Sequence, residues 1–271
     1  MRFVKKGDSG AEVKILQTRL KELDFNPGKI DSFFGPATQA AVLGFQKSYN
    51  LLPDGIAGPK TYISLDLAPD HEIDSAIEKD IFYNVIPAID YKLVSKLMPD
   101  TPVANIKKNL PVLLKIFKEE KLTDKYMVLT AIGLIRAESE TFEPVEEKVS
   151  ISNTSPGGKA FDLYDYRRDL GNHGPPDGEK YKGRGFIKLT GRFNYFTLAE
   201  KLGIDLEEEP ELALNIETAS KILVYCLKEN ENNIKQALLD NNIKAARRFV
   251  DDNLNGLDVF REVLRTGKIL I

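Results

Sequence analysis

The pattern D-x-x-x-G-P-x-T occurs twice in the first 65 residues, as "DSFFGPAT" (31–38) and "DGIAGPKT" (54–61), at an offset of 23 residues. Each copy reads as a turn followed by a helix start, with Gly supplying a permissive backbone and Pro at an early helical position. Amphipathic segments lie before and between them. "AEVKILQTRLKELDF" puts Val13, Leu16, Leu20 and Leu23 on one stripe, and "TQAAVLGFQKSYNLL" turns Ala41, Leu43 or Gly44, and Phe45 inward. Three short helices joined by Asp/Gly loops make a module of about 60 residues, a size that folds alone only with a well-packed core.

At 271 residues the chain has room for a second, larger domain. "DLAPDHEIDSAIEKD" (66–80) is polar and acidic and reads as a linker, so the expected organisation is 1–65, linker 66–80, and a second domain over 81–271. That second part opens with three helical patterns through residue 138, broken at "DTP" and capped at "LTD". Residues 148–182 are loop-rich, and helical patterns return in "NYFTLAEKLG", "NIETASKILVYCLKENE", "IKQALLDNNIKAARRFV" and "LDVFREVLRTG". The expected fold class is mainly α, with an active surface built from the irregular centre.

Composition excludes several chemistries. The net charge of −3 gives no general reason to expect a nucleic-acid partner, although residues 1–65 carry 9 Lys+Arg against 6 Asp+Glu. Cys226 alone allows no intrachain disulfide, and its apolar helical setting reads as a buried, inert thiol. His71 and His173 have no second His or Cys at ligand spacing, so no metal or other cofactor is expected. The N-terminus has no apolar signal segment and no run is long enough to span a membrane. The expectation is therefore synthesis in the cytoplasm, release by another agent, and action as a monomer without membrane insertion.

"RAESETFEPVEE" (136–147) holds five glutamates directly after the apolar run "MVLTAIGLI". Position 138 shares a helical stripe with Val128, Ala131, Leu134 and Ile135, so Glu138 ends a buried face. A carboxyl desolvated there is raised in pKa and suited to protonate a leaving oxygen. A second carboxylate in a wetter setting, Glu146 or Glu147, could activate water, which is the equipment of glycoside hydrolysis. "YKGRGFIKLTGRFNY" (181–195) adds glycines that admit close backbone approach, with Thr190 and Asn194 as hydrogen-bonding groups. Its spacing is neither G-x-G-x-x-G nor a Walker A pattern, which disfavours nucleotide binding.

Residues 4–65, through "KGDSGAEVKILQTRL", "GKIDSFFGPATQAAVLGFQ" and "PDGIAGPKTY", resemble the three-helix peptidoglycan-binding module attached to many cell-wall hydrolases. Ser32 departs from the pattern, which usually has Gly. Residues 84–265 resemble the chitinase/endolysin enzymes of glycoside hydrolase family 19, with a lysozyme-like α-helical fold. The likeness lies in "RAESETF…EE", "DLYDYRRDLGN", "DGEKYKGRGFIKLTGRFNY", "PELALNIETASKIL" and "VDDNLNGLDVF". The whole is similar to a modular phage endolysin or bacterial autolysin.

The resemblance implies Glu138 as general acid, Glu147 as base and Thr190 as the residue that helps hold the attacking water, in a single displacement with inversion. It further implies substrate contacts from Arg184, Lys188, Asn194, Tyr195 and Asp251, and peptidoglycan as partner. Phe142 matches the aromatic four positions after the acid. Three departures stand out: Ala137 replaces a family histidine, Lys188 a glutamine, and Asp251 the start of an Asn-Gly-Gly element. The expected activity is a muramidase; the alternatives are a chitinase and a non-catalytic wall-binding protein with a decayed hydrolase domain.

Overall fold

The computed structural model describes residues 3–49, 51, 53–65, 83–250 and 255–271. The stretch read as a linker, 66–80, lies outside the described residues, and so does Asp251. Two compact units divide the chain, Met1–Lys79 with Glu231–Gln236, and Asp80–Asn230 with Ala237–Ile271. The architecture is mainly α.

Three helices build the first unit: α1 (Ala11–Glu22), α2 (Pro36–Ser48) and α3 (Pro59–Ser64). Val13, Leu16, Leu20, Ala41 and Phe45 are buried as their spacing requires. Val42, not Leu43 or Gly44, is the further inward residue of α2; it is fully buried, while its two successors are half-buried. A 3.6-residue period admits either neighbour of the Ala41–Phe45 line, and packing chose the Val42 side.

The doubled motif is one clasp used twice. In the first copy Gln17 Nε2 donates to Asp31 Oδ1, the Phe33 carbonyl and Thr38 Oγ1, while its Oε1 accepts from Ser32 N. In the second, Gln46 Nε2 donates to Asp54 Oδ1, the Ile56 carbonyl and Thr61 Oγ1, while its Oε1 accepts from Gly55 N. Both glutamines are fully buried. Each motif therefore satisfies one buried amide from a helix, which explains why Asp and Thr recur at fixed places.

The clasp also fixes a left-handed residue in each turn. Gly55 has φ 72° and Ser32, its counterpart, has φ 64°. A side chain in that region costs roughly 1–2 kcal/mol, partly offset because glycine loses more entropy on folding. Ser32→Gly is thus expected to stabilise the first unit by roughly 0.5–1 kcal/mol, seen as a higher urea midpoint. A lower midpoint would show that the serine side chain itself supports the turn.

In the second unit the elements are α4 (Tyr91–Leu97), α5 (Val103–Glu119), α6 (Lys125–Glu138), β1 (Val145–Glu146), the short α7 (Asp177–Lys180), β2 (Arg184–Gly185), α8 (Arg192–Leu202), α9 (Ile216–Glu229), the end of α10 (Glu231–Leu239), α11 (Ile243–Arg248) and α12 (Leu257–Leu270). The cap read from "LTD" forms, with the Asp124 carboxyl accepting from Met127 N at 3.2 Å. Asn215 caps α9 in the same way. "IKQALLDNNIKAARRFV", read as one helical pattern, is two helices, because Asn242 opens α11 by accepting from Ala245 N.

Helix α6 is buried on all sides from Tyr126 to Ile135, as an apolar helix must be when neighbours surround it. It packs chiefly on α12, and two glycines set the approach: a Cβ on Gly267 would fall 2.2 Å from Leu129 Cδ2, and one on Gly133 2.7 Å from Phe260 Cδ2. The buried helix thereby delivers its last residue, Glu138, to the point where the chain leaves regular helix for turns.

Candidate active site

Glu138 is the C-terminal residue of α6, with a side chain only 5% exposed. Helix phase anticipates a carboxyl isolated among apolar groups; the burial is present, but two cations face it. Arg247 Nη2 donates to Glu138 Oε1 at 2.5 Å, and Lys188 Nζ lies 3.5 Å from Oε2. Arg247 is itself fully buried on α11, donates to the Asn255 carbonyl at 2.8 Å, and lies over the Phe260 ring. Sequence reading missed it. The available signal was physical: an acid ending a buried face needs a buried cation, and "KAARRFV" supplies one. Ala137, beside the acid, has its Cβ 3.0 Å from where a Cβ of Gly256 would sit, so small residues meet at this point.

Glu147 sits nine residues on, half-buried, beyond β1. The pairing of β1 with β2 (Val145 opposite Gly185, Glu146 opposite Arg184) continues through Glu147 N, which donates to the Gly183 carbonyl at 2.7 Å. Its carboxylate is held by three donors. Asn153 Nδ2 at 2.9 Å and the Tyr164 hydroxyl at 2.8 Å reach Oε1, and Gly183 N at 3.1 Å reaches Oε2. Burial, reinforced by this hydrogen bond, pushes Tyr164 up to about 12, so its phenol remains a donor.

The loop-rich segment 148–182 supplies those donors and is pinned from α8. Arg192 grips Asp177 through two bonds of 2.8 and 2.9 Å, which holds the Asp177 carboxyl below the usual carboxylate range. Arg192 N also donates to Asn172 Oδ1, and Asn172 Nδ2 in turn donates to the Tyr164 carbonyl. The other three glutamates of the cluster do different work. Glu146 pairs with Arg184 Nε at 3.0 Å and Lys182 at 3.3 Å, Glu143 pairs with Lys108 at 3.5 Å on the surface, and Glu140 is exposed.

"GRGFIKLTG" forms a tight reversal in which Arg184 and Leu189 exchange backbone bonds. Lys188 turns the chain with φ 50°, and its carbonyl accepts the Thr190 hydroxyl at 2.7 Å. The reversal returns Thr190 to the side of Gly183. A Cβ built on Gly183 would lie 3.0 Å from Glu147 Oε2, 3.1 Å from Thr190 Oγ1 and 3.1 Å from Lys188 Cβ. Both oxygens thus lie close beside Gly183, where any side chain would crowd them.

The residues expected to contact substrate divide. Lys188, Thr190 and Asn194 line a groove of about 730 Å³ that also includes Arg167, Tyr225 and Phe249. Cys226 borders it, with a thiol that burial pushes up to about 12, far from a nucleophile at neutral pH. Arg184 and Tyr195 face inward instead. Tyr195 is fully buried and donates its hydroxyl to the Lys182 carbonyl, while Arg184, 7% exposed, bonds Glu146 and the Lys180 carbonyl. In this geometry both brace the hairpin under Glu147. Phe142 is fully buried against the Phe186 ring, 6.1 Å between centroids.

Residues 9–65 match a family model described as putative peptidoglycan binding domain. That match lies within the first unit. The chain is 36% identical over 96 residues to a "Glycosyl hydrolase family 19 domain-containing protein" of Haemophilus influenzae, covering 35% of this chain and 45% of that one. It is 38% identical over 113 residues to a "Probable N-acetylmuramoyl-L-alanine amidase" of Bacillus licheniformis, covering 41% and 30%. Among solved structures it pairs with the Burkholderia AP3 phage endolysin at 15% identity over 99% of this chain and 97% of that one, with a TM-score of 0.27, too low to bear on the fold. The chain spans about half the length, or less, of the curated relatives it matches. The names of these two relatives thus differ in the kind of hydrolase they describe, a glycosyl hydrolase family 19 protein and an amidase.

Among the described residues no helix is long and apolar enough to cross a membrane, and no group of three or more His, Cys, Asp or Glu could hold a metal ion.

Proposed function

We propose that the second unit is a glycosidase that cleaves β-1,4 bonds between the amino sugars of peptidoglycan, with inversion, while the peptidoglycan-binding domain holds it on the wall. The observation that carries this reading is the convergence of Glu147 Oε2 and Thr190 Oγ1 beside Gly183. The Thr190 proton is committed to the Lys188 carbonyl, so Oγ1 faces the gap as an acceptor. A carboxylate offers about four acceptor positions, and three on Glu147 are filled. A water bridging the two oxygens on the substrate side of Gly183 would give one hydrogen to each and keep a lone pair for the anomeric carbon. Glu147 then takes its proton as the carbon–oxygen bond forms, and Glu138, ion-paired with Arg247 in this geometry, takes up a proton from solvent before passing it to the departing glycosidic oxygen.

Gly183 is the sensitive point. Gly183→Ala places a methyl against both acceptors and is expected to cut turnover by about 10²-fold with little change in KM, measured as reducing ends released from purified sacculi. Full turnover in that variant would mean that the water does not sit there. A chitinase acting on neutral amino-sugar polymers uses the same two acids. The peptidoglycan-binding domain favours sacculi, and a higher kcat/KM on soluble chitin oligomers than on sacculi would reverse the assignment. A wild-type protein that releases no reducing ends from either polymer would leave only wall binding.

A further inference from the structure

We propose that a second groove on this unit, about 460 Å³ in volume and bordered by α11 and α12, docks a polyol-phosphate polymer, a chain in which short polyols alternate with phosphodiesters. Its rim carries four exposed cations, Lys244, Arg261, Arg265 and Lys268, and no acidic residue lines it. The chain as a whole carries −3, so this charge is a local concentration rather than a general property. Arg261 is paired with Asp258 at 2.5 Å, and Lys268 lies over the Tyr126 ring. Lys244 and Arg265 have no ion pair among the described residues, and the groove brings both to one place.

The arrangement suits a linear polyanion with a carbon spacer. Arg261, Arg265 and Lys268 fall at i, i+4 and i+7 on one stripe of α12, about 6 and about 4.5 Å apart along the axis at ~1.5 Å per residue. Lys244 stands on the other wall, on α11. Arginine forks bind tetrahedral oxyanions through paired N–H groups, and lysine adds a point charge. Between the walls the lining is apolar, with Leu238 and Leu264 buried and Ile243 half-buried, so the methylenes of a polyol can lie on it while its phosphates meet the rim. Asn242 uses its side-chain oxygen to cap α11, which leaves its amide N–H groups as further donors at the groove.

The test is fluorescence anisotropy of the full-length protein with a labelled synthetic glycerol-phosphate oligomer, with polyaspartate and neutral dextran as comparators. The wild type should bind the phosphate oligomer, more weakly as salt rises, and should not bind dextran. Lys244→Gln/Arg265→Gln should weaken binding about tenfold or more, as the loss of two phosphate contacts implies. Arg265→Lys should retain most of the affinity, and Lys92→Gln, at an exposed site on α4, all of it. Both substituted positions are exposed, and an unchanged thermal midpoint separates lost docking from lost folding. Failure of the wild type to bind, equal binding by the double variant, or polyaspartate binding as tight as the phosphate oligomer would each overturn the proposal. None of these readouts depends on catalysis, so the glycosidase reading can fail independently.

Discussion

Glu147→Gln should lower turnover on sacculi by about 10²–10⁴-fold, the range over which a general base contributes, while the protein still sediments with the wall. The amide keeps the shape of the carboxylate but not its chemistry. Three donors, Asn153, Tyr164 and Gly183 N, are aimed at the two carboxylate oxygens, and a glutamine offers only one oxygen. Its N–H₂ must then oppose a donor or face the water as a donor itself, and either outcome loses the base. Glu146→Gln is the control. That residue is ion-paired with Arg184 and Lys182 on the hairpin, so its loss should reduce stability slightly and leave most of the turnover. Full activity in Glu147→Gln together with an inactive Glu146→Gln would move the base by one residue.

The second large effect is on stability. Arg247→Met is expected to cost about 3–5 kcal/mol, because removing one partner of a buried pair strands the other charge. Glu138 is 5% exposed and Arg247 fully buried, so water cannot take over from the lost guanidinium. The Glu138→Gln/Arg247→Met double variant should recover a large part of that loss, and a denaturant-unfolding cycle measures it. If Arg247→Met alone unfolds at the wild-type midpoint, Lys188, 3.5 Å from Glu138, already compensates the acid. Activity should be lost in the double variant however stable it is, since the proposed proton donor is gone.

Much of this structure is legible in residue periodicity. The stripes of α1 and α2, the Asp124 cap and the unbroken burial of α6 all follow from apolar spacing and short polar side chains, which act within a few residues. Glu138 is legible for the same reason, as the first charged residue on a buried face. What periodicity does not carry is contact between distant segments. Arg247 meets Glu138 across 109 residues, and Tyr164 meets Glu147 across 17, through loops that no period describes. Gly183 was visible as one of several glycines in a polar stretch, but its significance depends on which two oxygens flank it. The inward turn of Tyr195 and Arg184 was also hidden, because a strand and reversal of so few residues leave no alternation to read.

The paired glutamine clasps have a kinetic consequence. Gln17 reaches partners 14 to 21 residues away and Gln46 partners 8 to 15 away, so each clasp closes a short loop. Short loops lose little entropy on closing, and chains rich in such contacts fold fast. During synthesis the first unit can therefore form its clasps while the long-range pairing of α6 with α11 and α12 is still waiting for the C-terminal residues to emerge. The three helices proposed to hold the wall are formed before the unit proposed to cut it.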